Sequence, residues 1–126
     1  MALADRIVMC LGDLYPHLRV DPKKLSDELV SAKSSAAHFY QEHHDGALIA
    51  VTVDLPFSSK KHSNIELWMG DGGGIRLFRD YVRWLDTRRV IRTASFVPLF
   101  DEERLEKVMA RFGFFRHGGA FLWERS

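Results

Sequence analysis

Several features that define special classes of protein are scarce or missing in this sequence. Its 126 residues include one cysteine, Cys10, so no internal disulfide can form, and we interpret Cys10 as a buried helix residue of a cytoplasmic protein. No apolar run approaches the about 18 residues of a membrane-spanning helix. The N-terminal segment carries Asp5 and Asp13 and has no basic stretch before an apolar core, so we expect no signal peptide and no membrane partner.

Net charge is also nearly absent. The 18 basic and 17 acidic residues leave a formal net charge of +1, which argues against a general binder of polyanions such as a nucleic-acid module. Positive charge is nevertheless concentrated in one segment, which contains Arg76, Arg79, Arg83, Arg88, Arg89 and Arg92. The first three share one face of a predicted helix. We interpret this as a solvated face, and contact with ligand phosphates or an acidic partner is the alternative.

Apolar residues make up 46% of the chain, enough for one core, and the length is that of one domain, so we expect a single domain over residues 1–126. Helical periodicity predicts helices over residues 4–15, from Pro22 to the closing segment at 31–35, over 74–88 and after Asp101. β-Branched and alternating segments predict strands over residues 37–42, 47–55, 64–69 and 90–96, with further strand material after Gly113.

The order of these elements predicts an α/β domain. Asp45-Gly46 lies between the first two strands and is typical of a hairpin turn, so these strands should pair antiparallel. A strand, a helix and a strand follow each other over residues 64–96, which predicts a parallel pair joined by a right-handed crossover. A mixed sheet with helices on both faces follows from this order.

Three consecutive glycines, Gly72 to Gly74, join the predicted strand 64–69 to the next helix. The first amides of a helix have no intrahelical partner and favour anions, and glycines let a phosphate approach the backbone closely. A tight turn without a ligand explains the glycines equally well. The segment is not a Walker loop, because no Lys-Ser or Lys-Thr pair follows, and it lacks the G-x-G-x-x-G spacing of dinucleotide-binding proteins.

Taken in order, these elements and motifs resemble the GNAT superfamily of N-acetyltransferases, and within it the small GNAT proteins encoded by phages and prophages. Gly72, Gly74 and Leu77 occupy the last three positions of the family's Q/R-x-x-G-x-G/A turn with its following leucine. The segment VMARFGF at 108–114 resembles the family's LYEKLGF segment, and DPKKL at 21–25 resembles the start of its second helix. The resemblance spans nearly the whole chain.

The resemblance implies a mostly antiparallel mixed sheet with a splayed parallel pair of strands, and acetyl-CoA as co-substrate. Acetyl would pass directly to a primary amine of a small molecule or a protein. Backbone groups that would bind the cofactor are those of Leu67, Met69, Gly72, Gly73, Gly74 and Ile75. Glu66, on the fourth strand of the family's order, would act as the general base, directly or through water. The alternative for Glu66 is a solvent-facing strand residue.

Two positions depart from the family pattern. Met69 stands where the turn usually begins with Gln or Arg, unless a shortened loop displaces that position, and Met109 aligns with the tyrosine that commonly protonates the departing CoA thiolate. A thioether cannot donate a proton. The alternative function is therefore a catalytically degenerate GNAT-fold phage protein that serves as a virion component or binds a phage or host protein. Its location would be the virion rather than the cytoplasm of a bacterial host.

We interpret the remaining candidate residues as having ordinary structural or surface roles. We interpret the histidines as surface residues rather than metal ligands, because no pair has helical ligand spacing and no carboxylate cluster accompanies them: His38, His43, His44, His62 and His117. Ser95 is interpreted as a strand-end residue, with contact to the thioester or substrate as the alternative. The aromatic residues near the end of the chain are expected to pack in the core and a hairpin: Phe112, Phe114, Phe115, Phe121 and Trp123.

Overall fold

Among the described residues, four helices and four strands follow one another in the order predicted from the sequence. The structure is a computed structural model and describes residues 3–14, 19–43, 46–70, 74–96 and 102–116. The helices are α1 (Leu3–Leu14), α2 (Pro22–Ser34), α3 (Gly74–Thr87) and α4 (Glu102–Ala110). The strands are β1 (His38–His43), β2 (Gly46–Asp54), β3 (Lys61–Met69) and β4 (Ile91–Ser95). In these ranges no helix combines the length and the apolar composition needed to cross a bilayer.

Local signals at the helix ends act as the sequence predicts. Asp21 caps α2, and its side chain accepts hydrogen bonds from the backbone N–H of Lys23 at 3.0 Å and of Lys24 at 3.3 Å. Pro22 occupies the first turn, where its missing N–H costs nothing. Gly113 follows α4 with φ of 86°, the left-handed conformation that ends a helix.

The sheet has the order β1-β2-β3-β4. Strands β1 and β2 pair antiparallel, as do β2 and β3, whereas β3 and β4 pair parallel through the α3 crossover. The predicted hairpin, the parallel pair and the mostly antiparallel mixed sheet are confirmed.

Two strand boundaries were predicted wrongly. Strand β3 begins at Lys61 rather than at residue 64, because Lys61 pairs with Ile91 of β4 and its N–H donates to the carbonyl of Val90 at 2.9 Å. Tertiary pairing here overrides a polar local sequence. Residues 114–116 form neither helix nor strand. The rest of the predicted C-terminal strand, including Phe121 and Trp123, lies outside the described residues.

Helices cover both faces of the sheet, as predicted. On the side of α3 and α4 the buried cluster comprises Phe39, Leu48, Ala50, Leu77, Phe78, Tyr81 and Met109. On the side of α1 and α2 it comprises Ile7, Leu29, Ala32 and Ile49. Phe112 and Phe114 pack against the α3-side cluster as predicted, but Phe115 is mainly solvent-exposed.

A close backbone approach fixes the end of β3 against the start of β2. A Cβ placed on Gly46 would lie 2.5 Å from the carbonyl oxygen of Met69 and 2.8 Å from Cα of Gly70. Both are main-chain atoms, which cannot move aside as a flexible side chain can. Glycine is therefore required at residue 46, and the chain leaving β3 is held where α3 can begin.

We expect Gly46→Ala to lower the free energy of unfolding by about 2–3 kcal/mol, the upper part of the range for overpacking. The matched control is Gly113→Ala, where no atom lies within 4 Å of the new Cβ and only the left-handed φ is strained. That strain costs about 1 kcal/mol. Urea unfolding measures both, and an equal loss in the two variants would contradict the role given to Gly46.

One buried hydrogen bond joins β3 to α3. The hydroxyl groups of Ser63 and Tyr81 lie 2.6 Å apart, and both residues are 0% exposed. Burial raises the pKa of Tyr81 to about 12 from 10.0, and the hydrogen bond with Ser63 acts in the opposite direction. The phenol is thus kept neutral in the folded protein.

Because the folded protein holds the Tyr81 proton more tightly than the unfolded chain does, stability should be lost as pH rises from about 10 towards about 12. Tyr81→Phe should make this alkaline loss shallower. At neutral pH it should cost about 1–3 kcal/mol, because Ser63 loses its partner. Unfolding in urea at several pH values measures both effects. Tyr40, whose pKa burial also raises to about 12, is tested separately with Tyr40→Phe. An unchanged alkaline slope in both variants would contradict the assignment.

Candidate active site

Strand β4 pairs with only the first part of β3. Their ladder runs from Lys61 paired with Ile91 to Asn64 paired with Ser95, where β4 ends. Strand β3 continues to Met69. In the described part of the chain, residues 65–69 therefore have β2 as a partner on one edge and no strand on the other. This is the splayed pair that the family resemblance implies.

A β-bulge lies at the beginning of the separated segment. Ala50 of β2 pairs with Ile65 and Ile49 pairs with Leu67, so Glu66 is the extra residue on β3. A bulge reverses the side-chain alternation that follows it. Accordingly, Ile65 and Trp68 pack on the α3 side, whereas Leu67 and Met69 pack on the α1–α2 side.

Aromatic rings pack on the α3 side of this unpaired segment of β3. The Trp68 ring lies 4.9 Å from the ring of Phe78 and 5.7 Å from that of Phe96, measured between centroids. Its indole N–H donates to the carbonyl of Gly74 at 3.0 Å. Trp68 thereby ties the end of β3 to the first residue of α3, and it leaves the amide of Gly74 unused.

The first turn of α3 contains backbone N–H groups without an acceptor among the described residues. The helix begins at Gly74 and has no acidic residue in its first turn. In the described ranges no acceptor caps the N–H groups of Gly74, Ile75 or Arg76. Ile75 is 49% exposed. Helical N–H groups that lack an intrahelical partner, at the positive end of the helix dipole, favour an anion. Gly72 and Gly73 lie outside the described residues.

A band of polar side chains follows β3 and β4 on the face opposite α3. Ser63 and Ala94 contact the α3 side, so their neighbours in the strands point to the other face. There His62 is hydrogen-bonded through Nδ1 to the hydroxyl of Thr93 and lies with Nε2 2.8 Å from Oγ of Ser95. Ser95 donates to Oδ1 of Asn64 at 3.3 Å. These four residues form what we term the vertex network, because it lies where the two strands part.

Glu66 and His38 meet on the same face. Nε2 of His38, on β1, lies 3.7 Å from Oε1 of Glu66, across the intervening strand β2. The His38 side chain is 18% exposed and that of Glu66 is 47% exposed. Nδ1 of His38 is buried and has no hydrogen-bond partner. The predicted base is therefore accessible to solvent and is oriented by a histidine.

His38 and His62 are partly exposed, and strand pairing brings each one into contact with a polar partner: Glu66 for His38, and Thr93 and Ser95 for His62. Their signal in the sequence is the alternation of polar residues at 62, 64 and 66, which is typical of one face of a strand. Nothing local indicates His38, since its contact with Glu66 depends on two strand pairings. Within the described ranges no group of three or more His, Cys, Asp or Glu side chains is arranged to hold a metal ion.

The remaining predicted residues lie where their elements place them. Leu67 and Met69 face the α1–α2 side, and their backbone forms the separated edge of β3. Arg76, Arg79 and Arg83 are all exposed, and Arg83 lies 3.7 Å from Asp80, which agrees with a solvated helix face. Met109 is 3% exposed and belongs to the α3-side core.

A broad cavity lies along the outer edge of β4. Its lining is mainly apolar on the side of α4 and includes Leu105, Met109 and Phe112. Three residues of the vertex network also line it, His62, Thr93 and Ser95, whereas Glu66 and the start of α3 do not.

Comparison with known proteins places this geometry in a class. No protein-family description matches the sequence, and no curated protein matches it. Solved structures do match: the mixed sheet with its parallel strand pair has the fold of GNAT-like acetyltransferases.

Three structures illustrate the match. A candidate acetyltransferase from Agrobacterium tumefaciens str. C58 superposes with a TM-score of 0.65 at 10% identity, over 99% of this chain and 96% of that one. An aminoglycoside acetyltransferase from an uncultured soil metagenomic sample, solved with sisomicin, gives 0.65 at 10% identity over 98% and 87%. A candidate acetyl transferase from Pyrococcus furiosus gives 0.57 at 14% identity over 97% and 88%. At such identities the likeness establishes the fold alone.

Proposed function

We propose that this protein is an acetyl-CoA-dependent N-acetyltransferase that transfers acetyl directly to a primary amine. The observation that carries the proposal is that β3 extends beyond the end of its ladder with β4, next to the start of α3, whose first N–H groups have no acceptor among the described residues. A free strand edge suits the amide-bearing pantetheine arm of CoA, and a set of unpaired helical N–H groups suits the diphosphate to which this arm is attached.

The diphosphate of CoA would bind at the start of α3. Its negative charge suits the unpaired N–H groups of Gly74 and Ile75 and the positive end of the helix dipole. Gly72 and Gly73 complete the proposed set. The carbonyl of Gly74 is already held by Trp68, so the N–H of Ile75, which belongs to the same planar peptide group, is oriented before binding.

The pantetheine arm would pair with the free edge of β3. An arm that carries amide groups can form strand-like hydrogen bonds with the backbone of Leu67 and Met69. From Met69 to Asn64 the strand covers about 16 Å at about 3.3 Å per residue. An arm that starts at the helix and follows this edge therefore brings the thioester to the place where β3 and β4 join.

The reaction would take place beside the bulge. The amine attacks the thioester carbonyl, the C–S bond then breaks, and CoA leaves as a thiolate. Backbone N–H groups that the bulge frees from the ladder would stabilise the negative charge that develops on the carbonyl oxygen. Glu66 takes the proton of the amine, directly or through water, and His38 orients the carboxylate.

A second candidate function has one specific observation in its favour. Met109 is packed in the core at the position where the family commonly has its tyrosine proton donor, so that position contributes no acid. The alternative is a protein that keeps the fold but binds a partner, such as a virion component or a host protein, without catalysis. Such a protein would not be expected to bind acetyl-CoA.

Isothermal titration calorimetry with acetyl-CoA separates the two functions, and Gly74→Glu tests the diphosphate site. We expect wild-type affinity in the micromolar range and no detectable binding by the variant, because the new carboxylate repels the diphosphate at the same amides. The fold should not suffer, since an acidic residue in the first turn of a helix is stabilising by about 0.3–1 kcal/mol.

The matched control is Ser26→Glu, which adds the same charge to an exposed position of α2. It should leave the affinity unchanged. Failure of the wild-type protein to bind millimolar acetyl-CoA would refute the enzymatic function, and equal affinity in the wild-type and Gly74→Glu proteins would refute the placement of the diphosphate.

Glu66→Gln tests the base. The amide has the size of the carboxylate and keeps an oxygen next to His38, so folding and acetyl-CoA affinity should not change. The rate of acetyl transfer to amines should fall by about 10²-fold or more, the usual contribution of a positioned base. The measurement is release of free CoA thiol with a panel of primary amines. An undiminished rate would assign Glu66 to the solvent-facing alternative.

A further inference from the structure

The vertex network contains a hydroxyl that no step of the proposed reaction uses. Ser95 forms the last pair of the β3–β4 ladder with Asn64, and its side chain is exposed. The inference that follows rests on the proposed function, in which the path of the pantetheine arm ends at this pair of residues. The sulfur of CoA would therefore arrive next to the Ser95 hydroxyl.

The hydrogen bonds of Ser95 show which neighbouring group can supply a proton to its hydroxyl oxygen. The Ser95 O–H donates to Oδ1 of Asn64, so its oxygen accepts from Nε2–H of His62, which lies 2.8 Å away. The other ring nitrogen of His62 is held by Thr93. The ring is thus fixed with one N–H directed at Ser95, which is the arrangement of a proton donor behind a hydroxyl.

We propose that Ser95 is the catalytic acid that protonates the departing CoA thiolate, with His62 as the source of the proton. As the C–S bond breaks, its electron pair stays on sulfur, which takes the proton of the Ser95 hydroxyl. The Ser95 oxygen takes the Nε2 proton of the His62 imidazolium in the same step. The imidazole left behind is neutral and regains a proton from solvent, while the proton of the amine leaves through Glu66.

Met109 occupies the position of the family's usual proton donor. Acid catalysis therefore needs a proton donor on another helix or strand. Met109 is buried among core residues and has no proton to give. Tyr81, the buried tyrosine of the α3 side, has its hydroxyl engaged with Ser63 in the core. Ser95 differs from both because it is exposed at the point where the strands part and has a titratable group bonded behind it.

The test measures the thiol pKa of CoA bound to the protein and needs no acceptor amine. A hydrogen bond donated to a thiolate stabilises it and lowers the thiol pKa. The pKa is obtained by titrating the ultraviolet absorbance of the thiolate in the complex with free CoA. We expect a lower value for bound than for free CoA, and a rise of about one unit in Ser95→Ala, the effect of one lost hydrogen bond to a charged group.

Three further variants complete the experiment. Ser95→Thr keeps the hydroxyl and should restore the wild-type value. His62→Gln removes the titratable ring and should raise the thiol pKa in part. Ser34→Ala removes a serine hydroxyl on α2, away from the vertex, and should change nothing.

The outcomes distinguish the two proposals. If CoA binds but Ser95→Ala leaves the thiol pKa of bound CoA unchanged, the role of Ser95 is refuted and the proposed function stands. If Ser95→Ala abolishes CoA binding, Ser95 is a binding or structural residue and the acid role is again refuted. If wild-type protein does not bind CoA, both proposals fail together.

Discussion

The geometry of the candidate site depends on one extra residue in β3. Up to Ile65 the strand alternates so that odd-numbered side chains face α3, and the bulge at Glu66 reverses this order. Without it, Leu67 and Met69 would face α3, and Trp68 would point towards α1 and α2. The indole could then not bond Gly74 at the start of the helix. A bulge also takes backbone groups next to Glu66 out of the regular ladder, so one local irregularity positions both the Trp68 anchor and the proposed site around Glu66.

The two faces of the separated strands have opposite chemistry. On the α3 side Trp68, Phe78 and Phe96 pack together and exclude water from below the gap. On the other side the vertex network and Glu66 are exposed or half-buried. The Glu66 carboxylate, which is 47% exposed, is thus accessible from solvent. The packed rings hold the strand end in place on the apolar face, and the side chains of the polar face are accessible from solvent.

Sequence patterns predicted those features that depend on neighbouring residues. The cap at Asp21, the hairpin at Asp45-Gly46 and the apolar face of α3 are all local, and so is the strand–helix–strand order that makes β3 and β4 parallel. The bulge at Glu66 could not be predicted, because it is a property of the register between β2 and β3. The contact of His38 with Glu66 likewise requires both β1–β2 and β2–β3 pairing. The early start of β3 at Lys61 depends on β4, which lies 30 residues further along the chain.

The energetics of the vertex network bear on the choice between an enzyme and a binding protein. Hydrogen bonds between exposed side chains exchange with water and contribute little to stability, so the contacts of Ser95, Asn64 and His62 are not needed to hold β3 against β4. The ladder and the packing of Ala94 and Phe96 on the α3 side already do so. A fold used only as a scaffold has no physical requirement for a fixed imidazole behind a hydroxyl at the end of an open strand edge. A thiolate that must leave has such a requirement, because a thiol with a pKa of about 8.5 is released more readily when a proton is at hand.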